Sequence, residues 1–217
     1  MTKPPGGPVS RKIECSQMGK VKFSLVFLGL LFSFTLTAQV FNAGISGGLN
    51  ISQIEGDGFS GYNKAGGALG LFVNTFFRES WAWQMELNYA SKGAQRKVTL
   101  ENPQYYKFDL RYIEIPIFAR YFITREVIIE AGLSAGYLFH SKEEGLPGVE
   151  IPYTEPFRKT EFAAHGGIGY LLTDNISFHA RMSYSVLPVR DHAGGGRYRW
   201  NRGMNNNVIS FLVHYQF

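Results

Sequence analysis

The sequence predicts an all-β chain: an eight-stranded antiparallel up-and-down transmembrane β-barrel preceded by a cleavable signal peptide. Three observations carry this. From Gln39 onward apolar residues alternate with small or polar ones at period two, and no helical period of useful length occurs. The alternating runs are roughly 10–14 residues long, nearer the ~9–11 tilted residues that cross a bilayer than the ~5–6 of soluble strands. The connections between them are alternately tight and long, as in a barrel with turns on one rim and loops on the other.

The 217 residues begin with an address. Residues 18–38 place Lys20 and Lys22 before the apolar run Phe23 to Leu36, then the small residues Thr37 and Ala38, which is the form of a secretory signal peptide cleaved after Ala38. Residues 1–17 precede it as a leader of doubtful translation, so that Met18 rather than Met1 is the expected start. The net charge of +5 belongs largely to this region, since residues 39–217 keep 17 basic against 16 acidic residues. A nucleic-acid partner is thereby excluded as an expectation. The single cysteine, Cys15, also lies in the leader, which leaves the exported chain without a disulfide framework or a thiolate metal site. Residues 39–217 contain no linker or break in composition and read as one barrel domain.

The strands are predicted at 40–51, 65–77, 81–92, 108–122, 127–140, 159–172, 175–187 and 207–217. The third is the clearest, with Trp81, Trp83, Met85, Leu87 and Tyr89 on one face and Ala82, Gln84, Glu86, Asn88 and Ala90 on the other. The fourth sets Ile113, Ile115, Ile117 and Tyr121 against Glu114 and Arg120. Pro116 within it requires a bulge or a position that donates no ladder hydrogen bond. Residues 78–80, 124–126 and 173–174 are tight turns, whereas 52–64, 93–107, 141–158 and 188–206 are long loops.

Alternation alone does not say which face meets solvent. An eight-stranded barrel has room inside only for close-packed side chains. The bulky apolar face is too large for that interior, while the opposite face is rich in Gly, Ala and Ser. The apolar face therefore points outward to lipid. It is also banded, with Phe77, Trp81, Tyr121, Tyr215 and Phe217 near the turn rim and Tyr89, Tyr137, Phe139 and Tyr184 near the loop rim, as an aromatic girdle at each interface. The predicted lumen holds Glu86, Glu114, Arg120, Glu130, Glu161 and Arg181, which must pair because isolated buried charges are too costly. It also holds His140, His165, His179 and His214. These come from different strands without ligand spacing, so no metal and no other cofactor is expected. Ser177, Ser183 and the wall histidines are read as a hydrogen-bonded polar core, with no catalytic residues and no enzyme activity expected.

The resulting pattern resembles the small outer-membrane β-barrel domain of Bacteroidota proteins often called PorT-like, and in architecture the eight-stranded OmpA/OmpX barrels. The resemblance rests on Thr37-Ala38-Gln39 closing the leader, Gly47 to Ser52 in the first strand, Arg111 to Pro116 in the fourth, and Gly167-Ile168-Gly169-Tyr170 in the sixth. The last strand, Val208 to Phe217, ends on an aromatic residue with Phe211, Val213, Tyr215 and Phe217 at alternate positions, and is similar to the signal read by the barrel assembly machinery. The resemblance implies an integral bacterial outer-membrane location and implies no reaction.

Function is then expected at the loops. Loop 141–158 is acidic, with Glu143, Glu144, Glu150 and Glu155. Loop 188–206 carries Arg190, Arg197, Arg199 and Arg202, interleaved with Tyr198 and Trp200. The two loops pair and cap the barrel, or the second meets the phosphates of lipopolysaccharide or an acidic protein partner, or both are simply solvated loops. A structural or interaction role follows; a lipid-modifying hydrolase or acyltransferase, or a narrow pore, is the alternative.

Overall fold

The computed structural model describes residues 40–56, 61–96, 105–146, 149–150, 156–191 and 203–217. The leader and signal segment lie outside these residues. The strands are β1 (Phe41–Glu55), β2 (Lys64–Arg78), β3 (Trp81–Arg96), β4 (Tyr106–Phe122), β5 (Val127–Leu146), β6 (Val149–Glu150), β7 (Thr160–Leu171), β8 (Ile176–Ser185) and β9 (Asn205–Gln216). They pair in the order β4-β3-β2-β1-β9-β8-β7-β5-β6, and an additional β4–β5 pairing closes the ring. β6 is a two-residue appendage of β5, so the closed barrel has eight strands, all antiparallel to their neighbours.

The apolar set faces out. Trp83, Ile115 and Phe211 are each about half exposed (49%, 49% and 53%), whereas Glu114 and Arg120 are 4% and 5% exposed. Such a surface is stable only against hydrocarbon. Inside, bulky residues stand across from glycines: Phe72 opposite Gly44, Phe118 opposite Gly132, Glu114 opposite Gly136, Arg181 opposite Gly167 and His179 opposite Gly169. At Gly44 an added Cβ would lie 2.4 Å from the Phe72 ring, so the pairing is a condition of filling the lumen. Pro116 faces inward, and the β3–β4 register has no pairing at Pro116 or Ile115, resuming at Ile117 on one side and Glu114 on the other. The missing N–H therefore falls where no ladder bond is made.

Two expectations need correction. First, several strands run further on the loop side than the sequence predicts: β1 to Glu55, β3 to Arg96 and β5 to Leu146. At ~3.3 Å per residue and ~40° of tilt, the 20 residues of β5 rise ~50 Å, well beyond the ~25 Å lipid-facing band of such barrels. Second, the lumen is polar only along part of its length. At the loop end it is filled by Ile54, Ala94, Phe108, Leu110, Tyr112, Leu138, Phe157 and Val189.

Both corrections have one cause, visible on β4. Even positions face inward throughout, but they change from Phe108, Leu110 and Tyr112 to Glu114 and Arg120; odd positions face outward and change from Lys107, Asp109 and Arg111 to Ile113, Ile115 and Ile117. The polarity of the wall inverts without any change of parity. The external solvent therefore changes from water to lipid between Arg111 and Ile113. At the same level β5 carries a bulge: Arg111 pairs with His140 and Tyr112 with Leu138, leaving Phe139 as the extra residue.

The upper part of β3 depends on Gly93, whose φ of 138° is left-handed and whose added Cβ would lie 2.1 Å from the Phe108 carbonyl oxygen. Gly93→Ala is expected to destabilise the barrel by about 1–3 kcal/mol. The urea midpoint of the barrel refolded in lipid vesicles reads the loss, and an unchanged midpoint would contradict the strained geometry.

Candidate functional site

All six charged residues predicted for the lumen are buried. The structure groups them in two layers. In the layer nearer the turns, Arg181 on β8 forks onto Glu86 of β3, with Nη1 donating to Oε2 at 2.9 Å and Nη2 to Oε1 at 2.8 Å. It also reaches Glu130 of β5 through Nε at 2.5 Å and Nη2 at 3.3 Å. One guanidinium thus spans three strands, its planar fork matching two carboxylates, and its cation lies 4.2 Å from the centre of the Phe118 ring. Gln84 and Asn88 donate to Glu86 at 2.5 and 2.7 Å, and Arg120 donates to the Gln84 carbonyl at 2.5 Å. Arg120 Nε approaches Glu130 only to 3.8 Å.

In the second layer Lys92 of β3 contacts Glu114 of β4 closely and Glu161 of β7 at 3.2 Å. Asn206 donates to Glu161 at 3.1 Å and approaches the Tyr112 hydroxyl at 3.4 Å. Sequence reasoning missed Lys92, which sits at the end of the predicted third strand, where the alternation fades. Its signal was an excess of lumen acids over lumen bases. A polar cavity of about 40 Å³ separates the layers, lined by Ser46, Asn50, Asn88, His165 and Ser183 among others. His165 bonds Ser134 at 2.7 Å.

Above these layers the mouth is shut. Arg190 is not a free loop arginine: it is 5% exposed, donates to Glu143 at 3.2 Å, and lies over the rings of Phe108 (5.5 Å) and Phe157 (4.9 Å). Its backbone bridges to Met204, while Arg158 N–H donates to the Val189 carbonyl. Arg158 also pairs with Asp191 at 2.8 Å. The two loops therefore meet in the capping arrangement. The bulge at Phe139 resets the parity of β5 so that Glu143 turns inward to meet Arg190. Arg197, Tyr198, Arg199, Trp200 and Arg202 lie outside the described residues.

Outside the mouth, Asp109 pairs with Lys64 and Arg111, each at 3.4 Å. Burial raises the Asp109 carboxyl, and the two cations overcome it, leaving the group below its ordinary value. Burial pushes Glu143 upward against the opposing Arg190.

At the other rim, Ser177 Oγ lies 2.9 Å from His179 Nε2, and His179 Nδ1 lies 3.2 Å from Glu130 Oε1. His214, the cross-strand neighbour of Ser177, stacks on His179 and on Phe72 at centroid distances of 4.1 and 4.8 Å. Ser177, Arg120 and His214 line a cavity of about 80 Å³ beside the turn 172–175. The wall residues expected to act only as a polar core thus include a hydrogen-bonded Ser–His–Glu line ending in a cavity. Phe211, Val213, Tyr215 and Phe217 all point outward from the last strand.

Residues 37–190 match the family described as outer membrane protein beta-barrel domain. The chain belongs to this family. It is an integral outer-membrane β-barrel. Among solved structures it is similar to Ail, the attachment invasion locus protein of Yersinia pestis, with a TM-score of 0.51 and 19% identity over 81% of this chain and 98% of that one. Ail in complex with the heparin analogue sucrose octasulfate gives 0.50 and 17%, covering 82% and 99%. Neisserial surface protein A gives 0.43 and 12%, covering 82% and 97%. At these identities the likeness concerns the fold. No curated protein sequence matches the chain.

Lys92 is the sole cation touching Glu114 and Glu161 among the described residues. Lys92→Met should destabilise the refolded barrel by about 3–5 kcal/mol, and adding Glu161→Gln should recover part of the loss. Urea unfolding checks both. Asp109 gives a pH dependence whose sign follows from its lowered value: its pairs contribute above the unfolded pKa and are lost as pH falls through the folded one, below about pH 4. Hydrogen exchange at Ser91–Arg96 should accelerate over that acid range, relative to the intrinsic rate, in the native barrel and not in Asp109→Asn.

Proposed function

We propose that the protein is a closed, non-conducting barrel that acts at its extracellular end as a recognition surface, with lipopolysaccharide phosphates as the favoured target of its arginine-rich loop. The observation that carries this is the sealed mouth. Ionic layers fill the lumen, an apolar cluster covers them, and Arg190 and Glu143 hold the covering segments. A lumen so filled leaves activity to the ends of the barrel. The residues 192–202 that follow the cap carry three further arginines with Tyr198 and Trp200, cationic and aromatic groups suited to sugar phosphates. Arg111, facing outward one pair above Ile113, adds a cation at the level where lipid headgroups begin.

The same reading takes residues 18–38 as the export signal and the outward aromatic series ending at Phe217 as the segment offered to the assembly machinery. It also takes the chain as PorT-like within its family, on the sequence features that suggest it. A narrow pore is the reading that the sealed mouth disfavours.

The experiment joins two measurements. The folded barrel should give no steady conductance in planar bilayers. Replacing Arg197, Arg199 and Arg202 by Ser should lower lipopolysaccharide retention severalfold without altering the heat-induced gel shift. Retention unchanged by the triple substitution would reject lipopolysaccharide as the target, and a steady wild-type conductance would reject the closed barrel.

A further inference from the structure

We propose that the turn-rim end of the lumen is a serine acyl-transfer site that hydrolyses short-chain carboxylic esters presented from the periplasmic side, with Ser177 as nucleophile and His179 as general base. This goes beyond the recognition surface and is independent of it, since it involves the opposite end of the barrel.

The geometry supplies each part that the chemistry needs. Ser177 Oγ is 2.9 Å from His179 Nε2, within reach for proton transfer. Glu130 Oε1 lies 3.2 Å from Nδ1 of the same ring. A carboxylate accepting from Nδ1–H fixes the tautomer in which Nε2 is the acceptor, leaving that lone pair for the serine proton. Glu130 is a positioning residue here, itself held by Arg181 at 2.5 Å. Two buried nitrogens of residues lining the same cavity have no hydrogen-bond partner among the described residues: His214 Nε2, which donates in its Nε2–H tautomer, and Arg120 Nε, whose nearest carboxylate oxygen is 3.8 Å away. Their residues are 2% and 5% exposed, and both line the cavity with Ser177. His214 stands directly across the β8–β9 pair from Ser177, where side chains on one face lie about 5 Å apart at Cβ. Unpartnered buried donors are costly, and an oxyanion forming at Ser177 would satisfy them. The lining mixes Phe72, Phe76, Phe122 and Ile176 with the polar Asn74 and Asp174, and a space of about 80 Å³ suits a short acyl chain.

The step balances. Ser177 Oγ bonds to the ester carbonyl carbon as its proton passes to His179 Nε2, and the carbonyl π pair moves onto the oxygen facing His214 and Arg120. Collapse of that intermediate breaks the bond to the alkoxy oxygen, which leaves with the proton from His179. Water then attacks the acyl-serine by the same route, releasing the carboxylic acid and restoring the hydroxyl.

The test uses the folded barrel in detergent, with folding verified by its heat-induced gel shift. A fluorophosphonate probe should phosphonylate Ser177, with loss of fluoride, as located by peptide mass spectrometry. Hydrolysis of 4-nitrophenyl butyrate should fall by roughly 100-fold in Ser177→Ala, which removes one hydroxyl and leaves the barrel folded. Glu130→Gln should lower kcat with KM unchanged, as expected of a group that orients His179 without touching substrate. Absence of the adduct at Ser177, or hydrolysis unaffected by Ser177→Ala, overturns the proposal. A lost gel shift in Glu130→Gln would leave the first two measurements to decide it.

Discussion

The structure depends on one constraint: a barrel wall that faces hydrocarbon must satisfy all of its charge inward. Arg181 answers most of that demand. Its five donors and flat geometry allow two carboxylates from different strands to be neutralised by one cation, so that β3, β5 and β8 are tied across the lumen rather than along the wall. A lysine there could touch two carboxylates, as Lys92 does, but has no planar fork to match both oxygens of Glu86. The glycines opposite the large lumen residues follow from the same demand, since eight strands enclose too little space for two full-sized side chains at one level.

Above Arg111 the constraint reverses. Water now lies outside, so charge returns to the outer wall and the interior becomes an ordinary apolar core. The protein is two barrels in one wall, an inside-out one and a conventional one, sharing strands and differing in solvent. The bulge at Phe139 and the left-handed Gly93 both sit near this change, on the two strands flanking β4. Each lets its strand alter course, and the first turns Glu143 toward the mouth. Arg190 shows why such a turn matters: a loop arginine becomes a structural one when a carboxylate is placed beneath it and aromatic rings beside it.

How much of this was legible in the sequence varies with how far local pattern reflects the surroundings. Trp81 to Ala90 alternates strictly because lipid and lumen demand opposite chemistry, and its orientation could be read without a structure. The extensions were not legible in the same way. At Ala90 to Ala94 every residue is buried, so alternation stops although the strand continues. At Phe139 and His140 a bulge puts two residues on one side, which reads as the end of a strand. The β4 inversion was present in the letters, but detecting it requires following parity through a change of chemistry instead of looking for uninterrupted apolar residues. The six lumen charges were visible as types; their partition into two layers was not, because it depends on which strands close the ring. Ser177 and His179 were visible as neighbours two apart, and Glu130, 49 positions away from His179, was not visible as their partner.

A filled lumen also governs how the two ends can be related. The rim near Ser177 and the mouth near Arg190 are separated by the Arg181 and Lys92 layers, each anchored to several strands. A change at the mouth would have to rearrange buried ion pairs to reach the turn rim, and breaking one such pair costs several kcal/mol. A surface ligand that distinguishes two loop arrangements by less than that has no means of moving the interior. The ends therefore act independently. Binding at the loops leaves the turn-rim cavity as it stands, and any chemistry there is governed by what the periplasm presents to it.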